Sequence, residues 1–158
     1  MNNIKDHESL NQKHVLLRLD LNVPLKNGII ADETRIDKII PIIDFLIKKG
    51  SKIIIISHIG RPKGKIQKFL SLRPVCENLE KKLKQKIKLI YDDIFKLKKE
   101  VLFKNSDYQI IFLENIRFFK EEEKNDTKFA KHLASLADIY VNDAFSCSHR
   151  AHASISKI

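Results

Sequence analysis

The sequence predicts a single three-layer α/β domain, a mostly parallel open sheet with helices on both faces. Three observations carry this. Short apolar runs rich in β-branched residues alternate with stretches of helical period along all 158 residues. The unbroken apolar run Ile53–Ile56 is the kind of strand that lies buried on both faces of a parallel sheet. Finally, 43% apolar and 32% charged residues, with only 4 Gly and 4 Pro, describe a globular chain of one-domain size.

The elements follow in order. His14–Asp20 reads as the first strand, ended by Pro24 and a turn at Asn27-Gly28. Asp32 is placed to cap a helix carrying Ile36, Ile39, Ile40, Ile43, Leu46 and Ile47 at three- and four-residue spacings, which stops at Gly50. Lys52–Ser57 is the second strand. Ser71 caps a second helix with Val75, Leu79 and Leu83 on one face. Ile87–Tyr91 is the third strand, followed by a helix through Ile94, Leu97 and Val101. Gln109–Leu113 is the fourth strand. Asp126 opens a helix with Phe129, Leu133, Leu136 and Ala137 on its apolar face, and Ile139–Asn142 is the fifth strand. The alternation is Rossmann-like, and residues 1–158 form one domain. No repeat or linker stands out; Gly60–Lys68 reads as the most mobile loop.

Composition also excludes classes of function. No apolar stretch approaches a membrane span, and the polar N-terminus fits no secretory signal. With 2 Cys, Cys76 and Cys147, there is no disulfide framework, so a cytoplasmic setting is expected. The net charge of +10 invites a nucleic-acid reading. Most of that charge is Lys in a chain also rich in Ile and Asn, the joint bias of an AT-rich genome. Lysines between Lys81 and Lys104 lie among helix formers without aromatic partners for bases, and are read as a solvated face.

Arginine is scarce and therefore informative. In open parallel sheets, ligands bind beyond the carboxyl ends of the strands. After the first strand come Asp20 and Asn22; after the second, Ser57, His58, Gly60 and Arg61. Glu114, Asn115 and Arg117 follow the fourth, and Asn142, Asp143, His149, Arg150 and His152 follow the fifth. Arg35 sits in the first turn of the first helix. Four of the six Arg and three of the six His therefore gather on one edge, which suits an anion. Asp20 suits hydroxyl recognition, the orientation of a neighbouring Arg, or simply a strand-end turn. His58 reads as a ligand or as a satisfied loop histidine.

Other chemistries find no support. Neither G-x-x-x-x-G-K-[ST] nor G-x-G-x-x-G occurs, so no nucleotide-phosphate loop is expected. Cys and His spacing gives no metal site, and Cys147 with His149 is poorly spaced for a thiol nucleophile. Glu121-Glu122-Glu123-Lys124 reads as a solvated turn before a helix. The residues alone lead to a binder of a small phosphorylated acid, or to half of an enzyme that acts on one.

At these loops the sequence resembles phosphoglycerate kinase. Arg18-Leu-Asp20-Leu-Asn22-Val-Pro24 is similar to that family's R-x-D-x-N-V-P, and Asp32-Glu-Thr-Arg35-Ile to its D-x-T-R-I. Ser57-His58-Ile-Gly60-Arg61-Pro62 is similar to S-H-x-G-R-P, and Leu113-Glu114-Asn115-Ile-Arg117-Phe118 to L-E-N-x-R-F. Glu121–Asp126, Asn142-Asp143-Ala-Phe145 and His149-Arg150-Ala-His152-Ala-Ser154 complete the series in order.

The resemblance implies reversible phosphoryl transfer between 1,3-bisphosphoglycerate and ADP, giving 3-phosphoglycerate and ATP. It implies that Asp20 and Asn22 contact the hydroxyl and carboxylate end of the substrate. His58, Arg61, Arg117 and Arg150 would grip the non-transferred phosphate and neighbouring oxygens. Arg35 would lie nearest the transferring phosphoryl group, as the catalytic residue. Mg-ATP or Mg-ADP would be the co-substrate, bound by a C-terminal domain beyond Ile158, with no metal or cofactor held by these residues. The implied whole protein is monomeric, and the chain alone would bind phosphoglycerate weakly without turnover.

Two departures from the family pattern stand out. Ser146-Cys147-Ser148 replaces a Gly followed by small residues, and Ser146 would be strained if the backbone there needs a positive φ. Leu21 stands where Phe is common, which keeps the position apolar. Rival readings are a module that sequesters phosphoglycerate or docks on a separate nucleotide half, a nucleic-acid binder, and an inert remnant.

Overall fold

A computed structural model describes residues 3–7, 9–144 and 151–158. The strands are β1 (His14–Leu19), β2 (Leu25–Lys26), β3 (Ile29–Ile30), β4 (Lys52–Ile56), β5 (Ile87–Ile90), β6 (Ile110–Leu113) and β7 (Ile139–Asp143). The helices are α1 (Thr34–Lys48), α2 (Arg73–Leu83), α3 (Lys99–Leu102), α4 (Lys120–Glu123) and α5 (Thr127–Ser135). Five strands form one sheet in the order β5-β6-β4-β1-β7, every pair parallel, while β2 and β3 make a separate hairpin about Asn27-Gly28. The predicted α/β architecture is the observed one.

Successive strand side chains point to opposite faces, so each strand feeds two cores. Val15, Leu17, Leu19, Ile53, Ile55 and Phe112 pack with Ile36, Ile43 and Leu46 of α1 and with Val75 and Leu79 of α2. Leu16, Ile54, Ile56, Ile111 and Leu113 pack on the other side with Ile94, Leu97, Leu102 and with Phe129 and Leu133 of α5. The chain therefore winds outward along one face and returns along the other. β4 is buried from Ile53 to Ile56, as its unbroken apolar run predicts.

Local signals explain the element boundaries. Asp126 caps α5, accepting the Phe129 N–H at 2.8 Å. Asp32 and Ser71 do the same task from one residue further out than expected. They accept from Thr34 and Arg73, at 2.8 and 3.1 Å, while Glu33 and Leu72 occupy the cap positions. The helix expected through Ile94, Leu97 and Val101 is instead two short pieces, a 3-10 turn over Ile94–Lys96 and the single turn α3. Asp93 caps the first piece through the Phe95 N–H, and Leu97 is extended, which breaks the period. Leu102 is consequently the buried residue and Val101 is exposed.

The Gly60–Lys68 loop is pinned, against the expectation of mobility. Gly64 donates its N–H to Arg117 O at 3.1 Å, at a φ of +72°. A Cβ there would sit 2.8 Å from Lys120 Cα and 3.0 Å from Lys120 N, so the loop lies directly on the start of α4. Of the lysines between 81 and 104, Lys81, Lys84, Lys86, Lys88, Lys96, Lys98 and Lys104 are exposed. Lys82 is committed elsewhere, tying α2 to α1 through Glu33 at 2.6 Å and Asp37 at 2.8 Å. Among the described residues, no helix is long and apolar enough to cross a membrane.

Candidate functional site

Because every strand of the main sheet runs the same way, the loops after β1, β4 and β6 emerge on one edge. Asp20 and Asn22 follow β1, His58 and Arg61 follow β4, Arg117 follows β6, and Arg35 lies in the first turn of α1. Arg150, His149 and Ser146-Cys147-Ser148 lie outside the described residues.

Two threads of polar contact organise this edge. In the first, Arg35 Nη1 donates to both Asp20 oxygens, at 2.6 and 2.7 Å. Asn22 N–H reaches Asp20 Oδ1 at 3.3 Å, and Asn22 Oδ1 accepts the Gly60 N–H at 2.9 Å. Arg117 Nη1 then donates to Gly60 O at 3.3 Å. Asp20 thus both orients Arg35 and closes a local turn onto Asn22, two of the readings open to it. Gly60 is held from both sides at a φ of +63°, and a Cβ on it would meet Leu70 Cδ2 at 2.6 Å.

The second thread is buried, and its centre is Arg18, a residue given no role beforehand. Arg18 is fully enclosed on β1. Its Nη1 donates to Leu19 O at 2.5 Å, its Nε to Ser154 Oγ at 3.1 Å, and its Nη2 meets His58 Nδ1 at 3.0 Å. Ser154 in turn donates through its N–H and its hydroxyl to the Glu122 carboxylate, the former at 2.9 Å. Glu122 is thus not part of a solvated turn. The single turn of α4 points it inward, and it is fully buried while Glu123 is exposed. Burial pushes its carboxyl above the ordinary carboxylate range, against the pull of Ser154, Arg18 and Arg117.

Asn115 and Glu114 brace the edge from β6. Asn115 Nδ2 donates to Ile59 O at 2.8 Å and Leu70 O at 2.9 Å, fixing the loop that carries His58 and Arg61. Glu114 accepts from Ser71 Oγ at 2.6 Å and Leu72 N at 2.8 Å, tying β6 to the start of α2. Arg117 is buried and also faces Glu123, at 3.9 Å. Arg61 is exposed and makes no hydrogen bond or ion pair with any described residue.

A cavity of about 560 Å³ opens nearby, lined by Ile66, Ile90, Tyr91, Leu113, Phe118 and Phe119 among others. That lining is mostly apolar where an anion needs donors, so the loop edge, and not this cavity, is the candidate site. Cys76 is no nucleophile, since burial pushes its thiol up to about 12. No cluster of metal-ligating side chains occurs among the described residues. Spacing alone signalled neither Arg18 nor Glu122; the motifs that carry the resemblance contain both.

Fold and edge together define a parallel α/β domain that gathers cationic and polar side chains at the carboxyl ends of its strands. The family model described as Phosphoglycerate kinase matches residues 4–158, and the chain belongs to the phosphoglycerate kinase family. It is 54% identical to the phosphoglycerate kinase of Wolbachia pipientis subsp. Culex pipiens (strain wPip) over 100% of this chain and 40% of that protein. It is 50% identical to that of Dictyoglomus turgidum over 96% of this chain and 38% of that protein. The solved phosphoglycerate kinase of Coxiella burnetii superposes with a TM-score of 0.84 at 40% identity, covering 96% of this chain and 37% of that one. That of Pyrococcus horikoshii OT3 gives 0.84 at 31% identity, covering 98% and 39%. The chain therefore spans about 40% of the length of the relatives it matches.

Proposed function

We propose that this chain is the phosphoglycerate-binding part of a phosphoglycerate kinase, acting in reversible phosphoryl transfer between 1,3-bisphosphoglycerate and ADP. The observation that carries the reading is the convergence of Asp20, Asn22, Arg35, His58, Arg61 and Arg117 at one sheet edge. Arg150 joins them on the strength of its motif. In this reading His58, Arg61, Arg117 and Arg150 hold the phosphate that stays, and Asp20 and Asn22 meet the hydroxyl and carboxylate end. Arg35 is the catalytic residue, stabilising the equatorial oxygens of the group in transit. Positioning and charge stabilisation suffice for this chemistry. No general base is needed, because a carboxylate acceptor is already ionised at neutral pH.

Mg-ADP and Mg-ATP would be held by the portion of the relatives that this chain does not match, and no residue here is assigned to them. The chain alone therefore binds phosphoglycerate weakly and does not turn over, since closure against a nucleotide-holding part is needed to exclude water. In this reading the whole enzyme works in the cytoplasm as a monomer.

Calorimetric titration with 3-phosphoglycerate, with glycerate and double-stranded DNA as controls, tests the reading. Saturable binding of 3-phosphoglycerate over glycerate is expected. Arg61→Ala should weaken it about 10- to 100-fold, the worth of one charge-assisted contact of roughly 1.5–3 kcal/mol. Stability should stay within about 0.5 kcal/mol, because Arg61 is exposed. Equal affinity for glycerate, or binding to DNA alone, would overturn the assignment.

A further inference from the structure

We propose that Glu122 is a positioning residue for the phosphate end of the site: through Ser154 it holds the Arg18 guanidinium where that group sets the tautomer of His58. The proposal deepens the functional reading above and rests on it.

The polarity of the buried thread is forced step by step. A guanidinium has donors and no acceptor, so at the 3.0 Å contact His58 Nδ1 must receive a hydrogen from Arg18 Nη2. An Nδ1 that accepts carries no proton, which places the ring's single N–H on Nε2 as a donor suited to a phosphate oxygen. Arg18 Nε likewise donates, so Ser154 Oγ accepts there at 3.1 Å. The serine hydroxyl has one proton, and the Glu122 carboxylate takes it. Hydrogen bonds from Arg18 thus run to Leu19 O, to His58 and, across Ser154, to Glu122.

Three further observations favour positioning over simple filling of space. Arg18 is fully buried among the leucines of β1, where a charge without a partner would be costly; Glu122 supplies the balancing charge across one hydroxyl. Ser154 is held on its other side by Tyr140, whose hydroxyl donates to Ser154 O, so the bridging residue has little room to move. Burial disfavours the ionised form of Glu122, yet the contacts it makes, two donors from Ser154, are those an ionised carboxylate wants. An apolar residue at 122 would fill the same volume but leave the serine hydroxyl without a fixed acceptor, free to turn toward other groups.

The test joins nitrogen-15 NMR of the His58 ring with calorimetric titration of 3-phosphoglycerate and glycerate, on the whole chain. In the wild type His58 should show the Nε2–H form. Ser154→Ala removes the link with almost no change in volume, and Glu122→Ala removes its end. Both should mix the His58 tautomers and weaken 3-phosphoglycerate binding about tenfold, with glycerate affinity unmoved. Glu122→Gln keeps an oxygen acceptor and should hold the loss to about threefold or less, with the ring signature largely retained. Should Glu122→Ala fail to fold, Ser154→Ala and Glu122→Gln still decide the matter. An Nδ1–H form in the wild type, or an unmoved ring signature in every folded variant that breaks the link, would overturn the proposal. If the wild type ignores 3-phosphoglycerate, the functional reading fails, while the ring signals still report on the link independently.

Discussion

The two polar threads at the sheet edge are built on opposite terms. The thread from Glu122 through Ser154 and Arg18 to His58 is sealed, with every one of these side chains buried. The thread from Arg35 through Asp20 and Asn22 to Gly60 opens to solvent, with 47% of the Arg35 side chain and 15% of the Asp20 side chain exposed. A buried charge is expensive to move, so the first thread holds one geometry. A half-exposed ion pair is worth little and can be exchanged for a ligand at small cost. One end of the edge is therefore preorganised, and the other can rearrange at small cost.

Breaking the sealed thread should show the largest effect. Arg18→Ala removes the cation opposite Glu122 and breaks the contacts to Ser154 and His58 together, so a loss of about 3–5 kcal/mol is expected in urea unfolding. A loss below about 1 kcal/mol would mean that water readily enters this region. Next comes Gly64→Ala, which combines a positive φ with a Cβ driven against the backbone of Lys120. It should cost about 1–3 kcal/mol and release the loop from α4, read as faster amide exchange at Gly64.

At the open end the expected effect is smaller. Asp20→Asn weakens the Arg35 pair and should change stability by about 0.2–1 kcal/mol, with most of its effect on ligand affinity. A cost as large as that of Arg18→Ala would erase the contrast between the two ends.

Acid should separate buried from exposed carboxylates by sign. Burial holds the Glu122 carboxyl above the ordinary range, so the folded chain binds that proton more tightly than the unfolded one. Its contribution to stability therefore rises as the pH falls through the raised value, and levels off below the ordinary carboxylate value. The hydrogen bond from Lys99 holds Asp138 below the ordinary range. Its contribution is present above the unfolded value and is lost as the pH falls through the depressed one. Unfolding from pH 7 to pH 3 should show the wild type gaining on Glu122→Gln and losing ground to Asp138→Asn. Equal slopes for both variants would contradict this assignment of causes.

The strands and their facing cores were readable because burial leaves its mark in composition. Ile53–Ile56 can only be a strand covered on both sides, and the alternation of Leu16 and Leu17 between two cores follows from the period of the strand. The edge was readable because a parallel sheet sends all its following loops one way, so Asp20, His58 and Arg117 come together without any knowledge of their contacts. What could not be read is which charges turn inward. Glu122 lies in a run of acids whose composition says solvent, and only the single turn of α4, set by the chain path after Phe119, aims it at Ser154. Spacing gave Arg18 no role, because its partners His58 and Ser154 lie 40 and 136 residues away. Val101 was misplaced for a local reason, an extended Leu97 that resets the helical phase.

The position of β1 between β4 and β7 has a consequence in time. β1, the first strand in sequence, is paired on one side by β7, the last of the described strands, with His14 N–H reaching Asp138 across 124 residues at 2.9 Å. During translation β1 keeps an apolar edge unpaired until β7 has emerged, a template for wrong partners for most of that interval. Refolding meets the same requirement as one long-range closure, whose entropy is lost before any contact of β7 compensates it.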